Sequence, residues 1–250
     1  MAKIQTDKRD FLKFSTLGIL GLALGGGMIF SPYTLKAENR LRPPGAVDEK
    51  EFLALCIKCG QCLQVCPYHS IKLSDIAKGH GVGTPYIDAN ERGCYACDAV
   101  PCVLACPSGA LDHHTERPSD IKMGIAVLEF PDTCLAMTNT PLPDSYNKKI
   151  HDFTNSVRNV TEMELEVTAK MDEYLPENGE AKQCTLCADM CPIPSPMTAI
   201  MMVTNNNGGH KPEIYDGCIG CGVCQEVCPT STPSIVVKPR MTYDEYYNKV

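Results

Sequence analysis

The run Cys56-Ile57-Lys58-Cys59-Gly60-Gln61-Cys62-Leu63-Gln64-Val65-Cys66-Pro67 decides how the rest of this chain is read. Its spacing, C-x2-C-x2-C-x3-C-P, is one by which thiolates hold 4Fe-4S clusters. Three cysteines at two-residue intervals can wrap one cube of iron and sulfide. The fourth, followed by proline, points out of the loop towards the second cluster of a pair. Gly60 lets the backbone come close, so that amide N–H groups can face the cluster sulfurs.

Related blocks recur along the chain. Block two is Cys94-x2-Cys97-x4-Cys102-x3-Cys106-Pro107, with two extra residues in a middle loop that Pro101 stiffens. Block three is divided: Cys134 stands alone, and Cys184-x2-Cys187-x3-Cys191-Pro192 follows about fifty residues later. Block four, Cys218-x2-Cys221-x2-Cys224-x3-Cys228-Pro229, repeats the spacing of block one. All sixteen cysteines of the chain are accounted for in this way. Disulfides explain the spacing badly, because cysteines this close together make strained partners. Zinc takes four ligands in two pairs, and gives no reason for a third C-x2-C step or for the C-P ending.

Sixteen thiolates divide into four sets of four, which predicts four 4Fe-4S clusters. The matching spacings pair blocks one and four, leaving the irregular blocks two and three together. Exchange of the final cysteine within each pair then predicts nested sets. These are Cys56, Cys59, Cys62 with Cys228; Cys218, Cys221, Cys224 with Cys66; Cys94, Cys97, Cys102 with Cys191; and Cys134, Cys184, Cys187 with Cys106. Sequential pairing, one with two and three with four, is the alternative. A free Cys134 would leave one cluster with three protein ligands and a 3Fe-4S form.

Between the blocks lie short strand signals. Ser70–Leu73 and Thr84–Asp88 flank a glycine-rich turn, Ser108–Leu111 and Met123–Glu129 follow block two, and Ser234–Val237 follows block four. Thr198–Thr204 and Lys211–Tyr215 flank Asn205-Asn206-Asn207-Gly208-Gly209, a hairpin signal. A cysteine block, a helical turn and a small strand, repeated four times, is an internal repeat. The expected fold is α+β: two fused bacterial-ferredoxin-like units preceded by an N-terminal signal or anchor helix. Its expected parts are 1–37, the signal or anchor; 38–50, a tether through Arg42-Pro43-Pro44-Gly45; and 51–137, blocks one and two plus Cys134. An inserted helical or loop segment, 138–182, precedes blocks three and four with a polar tail, 183–250.

Residues 1–37 read as a targeting segment. Lys8-Arg9-Asp10-Phe11-Leu12-Lys13 precedes an apolar run, Leu17 to Phe30, too short for a comfortable membrane span but suited to a signal peptide. The pattern resembles the twin-arginine export signal, with Lys8 where the first arginine belongs; an ordinary secretory signal or a short anchor is the alternative. Clusters built in the reducing cytoplasm require export of an already folded protein, so leader and cysteines agree. Leu35-Lys36-Ala37 is a poor cleavage site, consistent with a retained anchor.

The formal charge of −7 argues against a nucleic-acid surface and suits docking on a basic patch of a redox partner, with an ordinary acidic soluble surface as the alternative. No molybdopterin, flavin or nicotinamide fingerprint occurs, nor a P-loop. His113 and His114 read as surface histidines, His69 as a neighbour able to tune a cluster or as merely exposed, and Met197, Met201 and Met202 as packing rather than ligands. Four clusters in a small protein make a wire, and the reading is electron transfer without catalysis.

Taken together, the leader, the block order and three stretches resemble the NapG/MauM ferredoxin family. The stretches are Gly83-Thr84-Pro85-Tyr86, Pro101-Cys102-Val103-Leu104-Ala105-Cys106-Pro107-Ser108-Gly109-Ala110-Leu111 and Met123-Gly124-Ile125-Ala126-Val127-Leu128. In that family the lone third-block cysteine lies a short loop before its companions; here the loop is much longer. The resemblance implies a periplasmic, membrane-associated quinol dehydrogenase component. Its implied partners are a NapH-like membrane iron–sulfur protein that oxidises quinol and, downstream, periplasmic nitrate reductase or an intermediate cytochrome. The twin-arginine machinery would export it. Two alternatives stay open: an electron-transfer subunit of another exported molybdenum or tungsten oxidoreductase, and an iron–sulfur assembly factor.

Overall fold

The apolar stretches between cysteine blocks are long enough only for short strands, and among the described residues these form three two-stranded antiparallel sheets. The computed structural model describes residues 39–76, 81–143, 183–193, 198–205 and 208–248. The leader, nearly all of the 138–182 segment, and Met197 lie outside the described residues. Strand β1 (Ile71–Leu73) pairs with β2 (Pro85–Ile87), Ile71 facing Ile87. Strand β3 (Gly124–Leu128) pairs with β6 (Ile235–Pro239), and β4 (Ile200–Thr204) with β5 (His210–Ile214). Both expected hairpins are therefore present.

Each C-x3-C stretch closes as a single helical turn: Gln61–Gln64, Pro101–Leu104, Leu186–Asp189 and Val223–Glu226. One turn has too few hydrogen bonds to stand alone, so packing must hold it. Cys62, Val103, Leu186 and Val223 supply that packing as the buried members of the four turns. Gly60 and Gly222 precede their turns at φ +75° and +86°, a left-handed conformation open to glycine at little cost. A large apolar cluster containing Phe52, Val103, Leu111, Ile121, Leu186 and Val223 links the elements, and a smaller one lies under β3, β5 and β6.

Several expectations need correction. Ser108–Leu111 forms no strand; its only ladder contact is an isolated bridge between Leu111 and Ala46. The Arg42-Pro43-Pro44-Gly45 stretch is no loose tether. Arg42 is buried, stacks over the Phe52 ring at 4.6 Å, and donates to the Thr84 hydroxyl at 2.9 Å and the Pro85 carbonyl at 2.7 Å. Its Nε also donates to Glu49 at 3.0 Å, and the same carboxylate takes Arg240 from beyond β6 at 3.0 Å. The entering segment is thus clasped, through Glu49, to the C-terminal part of the folded chain. The polar tail holds a short helix, Tyr243–Tyr247, started by a Thr242–Glu245 capping box. Finally, β3 pairs with the last strand, so Gly124 onward packs with blocks three and four rather than with one and two.

Candidate metal centres

Four groups of thiols emerge when the blocks are followed into space. Cys56, Cys59 and Cys62 line one cavity together with Cys106, beside Phe52 and Leu111. Burial raises the Cys62 thiol to about 11; the Leu63 N–H opposes this, and Cys56, Cys59 and Cys106 are the thiols near enough to add to it. A second cavity is lined by Cys94, Cys97, Cys102 and Cys66, walled by Tyr68 and Tyr95, whose rings stack 4.5 Å apart. Here burial pushes Cys94 up to about 12 and Cys97 up to about 11.

The third cavity holds Cys218, Cys221, Cys224 and Cys191 among Ala126, Ile200 and Ile214. The fourth group is Cys184, Cys187, Cys134 and Cys228: burial raises Cys184 to about 12, and Cys134 and Cys228 are the thiols whose charge it feels. Cys187 has the same neighbours.

In this structure the thiols gather as sequential exchange would have them, and not as the nested sets would. Cys66 does not reach block four. The β1–β2 hairpin that follows it folds back, and Tyr68 stacks on Tyr95 inside block two. Cys228 is held on the side of Cys134: the Ser234 N–H points at its sulfur at 3.3 Å, and the Ser234 hydroxyl lies 2.8 Å from that of Thr133. Identical spacing in blocks one and four reflects the repeat, not spatial pairing. The fifty-residue gap after Cys134 is bridged at its base, where the Gln183 amide donates to the Asn139 side chain at 2.8 Å.

The thiol groups fit polynuclear clusters. Among the described residues, no three His, Cys, Asp or Glu side chains converge closely enough for a single ion. The cysteines instead line three partly open cavities. Buried thiols raised this far are protonated in the iron-free chain, so iron binding must displace their protons.

Backbone conformation supports the same use. The second residue between the first two cysteines is left-handed in blocks one, two and four: Lys58 at φ +59°, Ala96 at +49° and Gly220 at +69°. Non-glycine residues hold such a conformation at a cost, which is met where the surroundings demand it. A residue turned this way contributes to a concavity of successive N–H groups that favours anionic sulfur.

Sequence reading missed several supporting groups. Amide N–H groups of Ser70 and Ala126 approach Cys66 and Cys218 sulfur at 3.4 and 3.5 Å. The hydroxyls of Ser108 and Thr230 lie 3.7 and 3.1 Å from the sulfurs of Cys106 and Cys228. A readable signal existed for the last two, since each stands directly after a C-P pair. Burial alone would raise Cys106, but N–H groups of Leu111, Ser108 and Ala110 and the Ser108 hydroxyl bring it below the ordinary thiol value. His113 and His114 are exposed, the latter paired with Asp112 at 2.8 Å, and His69 is exposed too. Met202 packs on the core with its sulfur 4.0 Å from Cys187, while Met201 is about half exposed.

Comparison with known proteins agrees with the cysteine geometry. The profile of the 4Fe-4S dicluster domain matches residues 55–110 and 182–232, which hold fifteen of the sixteen cysteines with Cys134 between them; two dicluster segments and sixteen cysteines make four 4Fe-4S clusters. The ferredoxin-type protein NapG of Escherichia coli K12 is 33% identical over 249 residues, covering 95% of this chain and 88% of that protein. The methylamine utilization ferredoxin-type protein MauM of Methylorubrum extorquens is 30% identical over 248 residues, covering 96% and 93%. NapG of Haemophilus influenzae is 30% identical over 248 residues. No solved structure matches.

Proposed function

Because the chain belongs to the NapG/MauM family of ferredoxin-type iron–sulfur electron-transfer proteins, we propose that it relays electrons from membrane quinol towards periplasmic nitrate reductase. A NapH-like membrane iron–sulfur protein would oxidise the quinol, and an intermediate cytochrome would stand between this chain and the reductase if the two do not meet directly. The protein would work in the periplasm at the membrane surface, exported folded by the twin-arginine route. Among the described residues no helix is long and apolar enough to cross a membrane.

The observation that carries the reading is the row of cysteine groups, each bordering the next. Cys56, Cys59, Cys62 and Cys106 would hold one cluster; Cys66, Cys94, Cys97 and Cys102 the second; Cys191, Cys218, Cys221 and Cys224 the third; Cys134, Cys184, Cys187 and Cys228 the fourth. When bound, each cluster supplies a one-electron couple whose potential depends on hydrogen bonds, burial and charge. The chain's own residues set those conditions. The N–H groups of Ser70, Ala126 and Ser234 stabilise negative sulfur. Tyr68, Tyr95, Ile200 and Ile214 wall off water. Cys59 is the exposed thiol among the sixteen and marks a place where electrons can enter or leave. A formal charge of −7 supports docking on a basic partner surface.

The MauM relatives support a second reading of comparable weight, in which the same relay serves a methylamine-utilization system. Low-temperature EPR on anaerobic membranes separates the two. After reduction with a quinol analogue, cluster signals that vanish on addition of nitrate, and are missing in a deletion strain, support the nitrate route. Signals that ignore nitrate remove the nitrate acceptor, and clusters that quinol cannot reduce remove the quinol donor. Clusters reduced instead on methylamine addition establish the second reading.

A further inference from the structure

Burial and proximity of the thiols give the four groups an order. Cys62 of the first group and Cys66 of the second lie on one C-x3-C turn, Cys94 of the second and Cys221 of the third meet by a backbone hydrogen bond, and Cys224 of the third and Cys228 of the fourth lie on another C-x3-C turn. The row therefore runs from the Cys59 group to the Cys134 group, with the two dicluster units meeting at Cys94 and Cys221. That meeting is made of backbone. The Cys94 N–H donates to the Cys221 carbonyl at 2.8 Å, across more than a hundred residues of sequence.

Nothing but glycine permits so close a contact. A Cβ on Gly93 would lie 2.5 Å from the Val223 nitrogen, and one on Gly222 would lie 2.6 Å from the Ala89 Cβ. Beside the contact sits Glu226, a carboxylate only 5% exposed. Its Oε2 accepts from the Gly93 N–H at 2.7 Å and from the Tyr95 hydroxyl at 3.3 Å, and Oε1 lies 3.3 Å from Arg92 Nε. All three partners lie at the start of block two or just before it, while Glu226 belongs to the helical turn of block four. Its neighbour Gln225 grips the same loop, donating to the Asn90 side chain at 2.8 Å and accepting from the Val237 N–H at 2.8 Å. Burying a carboxylate is costly unless it is paired and hydrogen-bonded, so the site is built to keep this charge where it stands.

We propose that the Cys94 N–H to Cys221 C=O contact is the electron bridge that makes one conductor of the two dicluster units, and that Glu226 is the positioning residue that holds it closed. This rests on the assignment of the sixteen thiols to four clusters. The path from one thiolate to the other is covalent apart from one hydrogen bond: Cys94 Sγ, Cβ, Cα and N–H, then the Cys221 carbonyl, Cα, Cβ and Sγ. One electron crosses, lost by one side and gained by the other. No bond is made or broken and no proton moves. Glu226 acts twice: its hydrogen bond to Gly93 fixes the register of the contact, and its charge disfavours added electrons on the clusters to either side.

The test uses the full holoprotein, with a flash photoreductant as electron source and no physiological partner, so it is independent of the nitrate and methylamine readings. Gly93→Ala forces the two backbones apart. With iron and sulfide content confirmed as that of four clusters, electron redistribution between the two units is slower than in wild type. Redistribution within each unit is unchanged, and the EPR broadening from magnetic interaction of the two central clusters weakens. Glu226→Gln, which conserves volume, raises the midpoint potentials of the two central clusters and leaves the outer two in place; Glu226→Asp restores part of the shift. A four-cluster Gly93→Ala protein with wild-type redistribution overturns the bridge. If Gly93→Ala does not retain four clusters, Glu226→Gln decides: unmoved central potentials together with unchanged broadening overturn the proposal.

Discussion

Cys228 shows how much a single side chain decides. Its spacing is the same as that of Cys66, yet it faces Cys134, Cys184 and Cys187, because the Ser234 N–H and the Thr230 hydroxyl hold its sulfur beside the turn that carries Cys134. Cys228→Ala and Cys134→Ala are therefore expected to remove or convert the same cluster. EPR of the two reduced variants should show the same signal lost, with the signal of the Cys56 group intact. Loss of the Cys56 signal in Cys228→Ala would restore the nested sets. Lys58 illustrates the reverse case, in which backbone matters more than residue type. It stands where block four has Gly220 and takes the same left-handed conformation, at φ +59° against +69°.

At the scale of elements, the clasp formed by Arg42, Glu49 and Arg240 ties the entering segment, the Glu49–Leu55 helix and the segment after β6. Partial burial alone would raise the Glu49 carboxyl, but hydrogen bonds and charge from Arg42 and then Arg240 bring it below its ordinary 4.5. A carboxylate with a lowered folded pKa contributes stability that is present above the unfolded value and lost as pH falls through the folded one. Glu49→Gln is accordingly expected to cost about 1–3 kcal/mol near pH 7, with the gap to wild type closing below about pH 4.5. Denaturant unfolding of the holoprotein at several pH values measures this, and a gap that persists in acid would refute the assignment to charge. The Tyr243–Tyr247 helix allows a more local test. Thr242 accepts from the Glu245 N–H at 3.3 Å, and its removal in Thr242→Ala is expected to cost about 0.5–2 kcal/mol. Hydrogen exchange should speed up in residues 243–247 and not at the cysteine blocks.

For the molecule as a whole, the sheets among the described residues are two-stranded and the four C-x3-C helices are single turns, so elements this short depend on what they surround. Metal bonds then supply much of the ordering energy. Anaerobic chelation of iron is expected to abolish near-ultraviolet circular dichroism and open residues 39–248 to protease. The Phe52, Leu111 and Leu186 cluster would leave a collapsed state rather than an extended chain. Retention of native dichroism after complete iron loss would show that the apolar core suffices.

Cysteine number and spacing by themselves determined the chemistry: four sets of thiols, four 4Fe-4S clusters, and electron transfer as the use. The β1–β2 and β4–β5 hairpins were equally legible, since each follows from alternating residues around a glycine-rich turn. Those signals are local, carried within a dozen or so residues. The partner of each fourth cysteine was decided by tertiary structure alone, because the identical spacing of blocks one and four says nothing about which block lies nearby. The burial of Arg42 and the service of Glu226 to a loop 133 positions away belong to the same class. A charged residue in a polar stretch reads as solvated until the packing around it is known, and packing is a property of the assembled chain.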